Sequence, residues 1–267
     1  MSPPVCSNIS IIHPEDMTDS PTSFLHRPGK SSLAYFRLEG ESPGLMFLGG
    51  FRSDMSGTKA SALEAHCREV GRAYVRFDYG GHGESSGKFE EGTIGEWAED
   101  ALAILDGVAQ GPQVLVGSSM GGWMMLLAAL ARPERVKGLV GVASGPDFTA
   151  DFKKHRLTEE MQKELDERGY VLHPPNIWEE PYPITRKLLD EGENHLLLQG
   201  EIDLACPVRL IHGMRDETVF WETSLKLSKA LKGDDVRLTL VKDGGHRLSR
   251  DADIELIIRT AEELAER

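Results

Sequence analysis

A serine among small residues, a carboxylate and a histidine stand in this chain in an order suited to acyl transfer. The serine lies in Gly117-Ser118-Ser119-Met120-Gly121. A serine hydroxyl is a weak nucleophile and needs a base to take its proton. That base needs a third group to hold its tautomer and stabilise the imidazolium that forms. Of the nine histidines, His246 is placed best, because it follows an apolar run through Gly244-Gly245 and precedes the last helical segment. Asp216, in His212-Gly213-Met214-Arg215-Asp216-Glu217, is the preferred acid. Glu217 and Asp203 are alternatives, whereas Asp243 stands too near His246 in sequence to orient it well. The order Ser119…Asp216…His246 is the one that accompanies a Gly-x-Ser-x-Gly elbow. A tetrahedral intermediate also asks for two N–H donors. The backbone N–H groups of Met120 and Phe51 are the candidates, with Gly49-Gly50 letting the second backbone approach without a Cβ in the way.

The elements around these residues explain why they could meet. Gln113-Val114-Leu115-Val116 is an apolar, β-branched run, and residues 122–131 are rich in Ala, Leu and Met and run to Arg132-Pro133. The motif thus sits where a buried strand turns into a buried helix. Such a turn exposes Ser119 rather than Ser118 and aims unpaired helix N–H groups at it. Residues 45–48 form another apolar run, ending in Gly49-Gly50, as in a buried parallel strand. Residues 32–38, 73–77, 136–142, 208–212 and 236–240 read as further strands. Residues 59–70, 93–105, 221–231 and 251–265 read as helices, the first stopped by Gly71. This alternation predicts an α/β fold, a mostly parallel sheet with helices on both faces, with ligand beyond the carboxyl ends of the strands. Gly50, Asp78, Ser119, Asp216 and the loop before His246 all fall at such ends.

The alternation stops between about residues 147 and 205. Thr158-Glu159-Glu160 opens a short helix closed by Gly169, and residues 184–189 look helical. No sheet strand is expected there. The stretch reads as a cap inserted over the site, within a domain spanning residues 23–267, after a loose Pro- and Ser-rich arm over residues 1–22. A plain surface excursion is the alternative.

Composition narrows the class. A chain of 267 residues, 40 % hydrophobic, can bury one large core. A net charge of −13 argues against nucleic acid or an anionic membrane as a partner. No apolar run approaches the roughly 18 residues that span a bilayer. Cys6, Cys67 and Cys206 are scattered without metal-ligand spacing, which suits reduced packing thiols and neither a disulfide framework nor a metal site. The first residues show no secretory or mitochondrial leader, so a cytoplasmic location is expected. His212, ending its strand, is expected to pack against the following turn. His82 is expected to make loop-stabilising hydrogen bonds, and the remaining histidines lack metal spacing.

Asp78-Tyr79-Gly80-Gly81-His82-Gly83-Glu84-Ser85 is similar to the Gly-rich loop that follows the fourth strand in the α/β-hydrolase superfamily. Arg76-Phe77-Asp78-Tyr79, Gly95-Glu96-Trp97, the run from Gly111 to Trp123, and the run from Cys206 to Met214 resemble one branch more closely. That branch is the family of abhydrolase domain-containing protein ten, mitochondrial acyl-protein thioesterases that also cleave acyl glucuronides. The resemblance extends from about Leu45 to the C-terminal helix and is weakest in the cap. It implies an α/β-hydrolase fold with a sheet of the eight-stranded type and a small helical cap. It also implies Ser119 as nucleophile, Asp216 as orienting acid, His246 as base, and an acyl ester or thioester substrate. The chain departs from the pattern in showing no mitochondrial leader, and so looks more like a bacterial or otherwise cytosolic relative. It carries Gly49-Gly50 where many superfamily members have His-Gly, and Phe220 where they have Pro, a change that would reshape the pocket near Trp221. Trp178, Tyr170, Tyr182, Phe148 and Trp221 are candidate pocket walls, each equally suited to a core.

The expected activity is hydrolysis of carboxylic esters or thioesters through an acyl-enzyme, without metal or organic cofactor. A peptidase or carbon–carbon bond hydrolase would use the same triad. A non-catalytic binding protein on this fold would usually lack a triad member, and none is missing.

Overall fold

The computed structural model describes residues 22–173 and 181–267. The expected N-terminal arm lies outside the described residues apart from Thr22, as does Cys6. Along the chain run β1 (Ser23–Leu25), β2 (Leu33–Leu38), β3 (Glu41–Leu48), α1 (Thr58–Val70), β4 (Arg72–Phe77) and α2 (Ile94–Gly107). There follow β5 (Gln113–Ser118), α3 (Met120–Ala131), β6 (Val136–Val142), α4 (Phe148–His155), α5 (Glu159–Arg168), β7 (Tyr170–His173) and β8 (Tyr182–Thr185). The chain ends with α6 (Arg186–Gly192), β9 (Val208–Gly213), α7 (Glu222–Ala230), β10 (Val236–Val241) and α8 (Asp251–Ala265).

Eight strands form one sheet in the order β1-β2-β4-β3-β5-β6-β9-β10. Only the β1–β2 and β2–β4 pairings are antiparallel; the rest are parallel. Period-two alternation divides the central strands between two cores. Met46, Leu48 and Leu115 pack with α2 and α3 on one face. Leu45, Phe47, Val114 and Val116 pack with α1 and α8 on the other. Both faces of these strands are covered, which is why they read as unbroken apolar runs.

Local chemistry ends α1 and α5 where it was expected to, while α2 runs on to Gly107. Gly71 takes φ 74° after α1, and Gly169 takes φ 78° after α5. Thr93 caps α2 by accepting from Glu96 N–H, and Thr158 caps α5 by accepting from Met161 N–H. Each such cap is worth about 1 kcal/mol.

The excursion between β6 and β9 departs from the all-helical expectation. β7 and β8 pair as an antiparallel ribbon in which Val171 faces Ile184. Residues 182–185 are therefore strand, and the helix begins only at Arg186, capped by Thr185. The ribbon escapes notice in sequence because its strands are four residues each and are separated by residues 174–181 rather than by a short turn. Phe152, Leu165, Val171, Ile184 and Leu189 give the excursion a small core of its own. Its two roots are tied by Asp147, whose carboxylate accepts the N–H groups of Leu197 and Leu198 at 2.8 Å each. Burial raises the Asp147 carboxyl above its ordinary range, against the pull of those two bonds.

Candidate active site

The strand β5 ends at Ser118, and the chain reverses into α3 through Ser119, whose φ is 55° and ψ −120°. Positive φ is costly for a residue with a Cβ and persists only where its surroundings enforce it. The enforcement comes from packing. A Cβ on Gly117 would overlap the Gly121 carbonyl, and one on Gly121 would overlap the Leu48 carbonyl. A side chain at either position would push α3 off the ends of β3 and β5. The small residues of the motif are thus required by the closeness of strand and helix.

Ser119 Oγ donates to His246 Nε2 at 3.1 Å, and His246 Nδ1–H donates to Asp216 Oδ2 at 2.8 Å. The three side chains come from the ends of β5, β9 and β10. The last two loops are held together by backbone bonds, Met214 N–H to Val241 O at 2.9 Å and Arg215 N–H to Gly244 O at 2.8 Å. Gly213 permits that approach, since a Cβ there would overlap the Gly244 carbonyl. Behind His246, Lys59 on α1 donates to Arg247 O at 2.6 Å. Burial, with the nearby Arg247 charge, holds the Lys59 ammonium down at about 8.

Asp216 is buried and its side chain has no exposed surface. Burial alone would raise its carboxyl, but hydrogen bonds from His212, His246 and the Val219 N–H outweigh that and hold it well below the usual carboxylate range. It is therefore an anion wherever the protein is folded at neutral pH. His212 packs against the turn, as expected, but it also bonds the carboxylate itself, Nε2 lying 3.1 Å from Asp216 Oδ2. The sequence reading missed that second contact. Its signal was the spacing of four residues between His212, which ends a strand, and Asp216, which follows the turn. The alternative acids are elsewhere: Asp203 pairs with Lys232, Asp243 with Arg250, and Glu217 is exposed.

Met120 directly follows Ser119, and the Gly50-Phe51 loop borders it. Met120 is the first residue of α3, so its N–H has no acceptor within the helix. The loop leaving β3 passes so close that a Cβ on Gly50 would stand 3.3 Å from Ser119 Cβ. This loop is anchored from below. Asp78 accepts from Met55 N–H at 2.6 Å, and Arg76 donates to Met55 O at 2.5 Å while pairing with the buried Glu64.

An apolar cleft opens over Ser119. Phe51, Phe148, Phe152, Ile184, Val219 and Phe220 supply its apolar walls; Asp151, His155, Arg156, His173, Thr218 and Thr223 supply polar ones. Of the proposed walls, Phe148 and Tyr182 line it; Tyr170 and Trp221 do not, and Trp178 lies outside the described residues. Phe51, considered only for its N–H, is the centre of an aromatic cluster, its ring 4.9–5.7 Å from those of Phe89, Trp97, Phe148 and Tyr182. Phe152 was also overlooked, although it stands one helical turn after Phe148 on α4. His82 does not line this cleft; its Nδ1–H is directed at Gly80 O at 3.3 Å. No cluster of metal-ligating side chains occurs among the described residues.

A doubly covered, mostly parallel sheet with a strained serine elbow after β5 defines the α/β hydrolases. The profile of the alpha/beta hydrolase fold matches residues 49–181. The chain belongs to this family. It is 45 % identical over 92 % of its length, and over 80 % of the relative's, to the mitochondrial palmitoyl-protein thioesterase ABHD10 of Bos taurus. The solved structure of the mouse alpha/beta hydrolase domain-containing protein 10 shares 45 % identity at TM-score 0.86, covering 92 % of this chain and 98 % of that one. A structure from Agrobacterium vitis S4 shares 38 % identity at TM-score 0.87, with the same coverage of each. No helix among the described residues is long and apolar enough to cross a membrane. The ABHD10 relatives are mitochondrial by name, which runs against the cytoplasmic location expected from the N-terminus.

Proposed function

We propose that this protein is a serine hydrolase that cleaves acyl esters and thioesters through an acyl-enzyme. The observation that carries the reading is the continuous relay from Ser119 Oγ through His246 to Asp216 at a strained elbow. Ser119 attacks the acyl carbonyl while His246 Nε2 takes its proton. The imidazolium is stabilised by the Asp216 anion through Nδ1–H. The oxyanion is received by the N–H groups of Met120 and Phe51, fixed in place before the reaction and so needing no reorganisation. His246 then protonates the departing alkoxide or thiolate. Water, deprotonated by the same imidazole, releases the acid and restores Ser119.

The acyl chain is assigned to the cleft walled by Phe148, Phe152 and Ile184, which makes the excursion between β6 and β9 a cap. Relatives named palmitoyl-protein thioesterase at 45 % identity support a thioester among the substrates. A panel of p-nitrophenyl esters, acyl-CoA thioesters and peptide amides tests the bond class. Turnover of esters and thioesters is expected; turnover of amides alone would replace the reading with a peptidase. Ser119→Ala should lower kcat by about 10⁶, and near-normal turnover in that variant would remove Ser119 from the mechanism. Cell fractionation of the full chain tests whether the location is cytoplasmic.

A further inference from the structure

We infer that His212 is a positioning residue for the reaction, holding Asp216 through a second hydrogen bond to the same oxygen that serves His246. The inference rests on the reading of Ser119, His246 and Asp216 as a catalytic relay. His212 is fully buried and has no exposed side-chain surface. Its Nε2 lies 3.1 Å from Asp216 Oδ2 and 2.9 Å from Val219 O. A carbonyl and an ionised carboxylate can only accept, so Nε2 carries the hydrogen and shares it between them. On the other side of the ring, Nδ1 lies 2.7 Å from the hydroxyl of Ser224, which is also fully buried. With the hydrogen on Nε2, Nδ1 is left to accept from Ser224 O–H. Asp216 and the Val219 carbonyl thus set the tautomer of His212, and Ser224, at the start of α7, holds the far side of its ring.

The Asp216 carboxylate is thereby saturated. Oδ1 accepts the N–H groups of Thr218 and Val219 at 2.8 and 2.9 Å. Oδ2 accepts His246 Nδ1–H and His212 Nε2–H. The consequence is chemical as well as geometric. Two donors on one oxygen divide its basicity, so His212 weakens the pull of Asp216 on the His246 imidazolium. It also fixes the plane of the carboxylate by spanning it and the Val219 carbonyl. Cations near this unit include Arg156, which donates to Thr218 O at 2.5 Å, Arg215, whose N–H bonds Gly244 O, and Lys59, which bonds Arg247 O behind the His246 loop.

Removing the His212 donor should leave Oδ2 more basic, strengthen its bond to His246, and make His246 harder to deprotonate. Because the carboxylate would also lose the bond that fixes its plane, and with it the alignment of His246, His212→Leu is expected to lower kcat about tenfold to a hundredfold with little change in KM. It should also move the acid limb of kcat/KM upward by about half a pH unit or more. His212→Gln, which keeps an N–H donor, should recover most of the rate and return the limb towards its original position. Ser224→Ala, which removes the hydrogen bond at Nδ1 and loosens the ring while keeping it, should shift the limb the same way by less. An acid limb that stays put in both His212→Leu and Ser224→Ala, with Gln no better than Leu, would overturn the proposal and leave His212 a packing residue. Fluorophosphonate labelling of the wild-type protein at Ser119, lost in Ser119→Ala, checks the underlying reading separately. Absent labelling of the wild type would overturn both.

Discussion

The polar groups of the site are arranged by burial as much as by distance. Asp216 stays anionic because four donors offset its desolvation, while Asp78, held by only two backbone N–H groups, is pushed up to about 6 by the same effect. His82 shows the opposite sign. Burial holds it down at about 4, from an ordinary 6.5. Between those values the unfolded chain binds a proton that the folded chain refuses, so stability rises with pH across the window and is lost as pH falls from about 6.5 to 4. Asp78 acts against this, since the folded chain holds its proton longer than the unfolded chain does. A comparison with His82→Gln isolates the histidine. Urea unfolding between those two pH values should cost the wild type roughly 2–4 kcal/mol more than the variant. Equal acid sensitivity in the two proteins would show that His82 is not held neutral. At the same scale, Ser119 was separable from Ser118 by position alone, whereas the His212 contact was not, because a histidine at a strand end carries no mark of what faces it.

Among the elements, α3 owes its closeness to β5 to Gly117 and its closeness to β3 to Gly121, and the loops after β9 and β10 owe theirs to Gly213. The parallel strands and most helix ends follow from apolar runs and from capping Thr and Gly residues, all local signals. The excursion between β6 and β9 follows different physics. Its ribbon needs a partner a dozen or so residues away, and its roots are joined by one carboxylate across fifty residues of chain. Asp147→Ala would leave the Leu197 and Leu198 N–H groups without their acceptor, at a cost of about 1–3 kcal/mol. The expected result is tryptic cleavage within residues 148–200 well before the sheet is cut, with a modest drop in Tm. Unchanged cleavage would show that the aromatic contacts to Phe51 and Trp123 hold the excursion without it.

For the molecule as a whole, stability resides in the two cores flanking the sheet, and the site stands at their common edge. Leu115 lies wholly buried on β5, the strand that leads into the elbow, in the layer of α2 and α3. Leu115→Ala should cost about 2–5 kcal/mol, read as a lowered urea midpoint. Fluorophosphonate labelling of Ser119 in the folded protein should persist, because the elbow is set by backbone packing rather than by that side chain. Loss of labelling at full folding would mean that the core positions the serine directly.

The amino-acid sequence alone determined the α/β class, the order of the central strands' ends along the chain, and the three side chains most able to form a relay. These rest on period-two burial, on turn residues, and on a motif whose neighbours are local to it. Tertiary structure decided what depends on distant groups meeting: the second histidine on Asp216, the clamp at the roots of the excursion, the ribbon within it, and the ring of Phe51 at the heart of the cleft. A side chain's type limits the bonds it can make, but which of them it makes is settled only when the chain has brought a partner within about 3 Å.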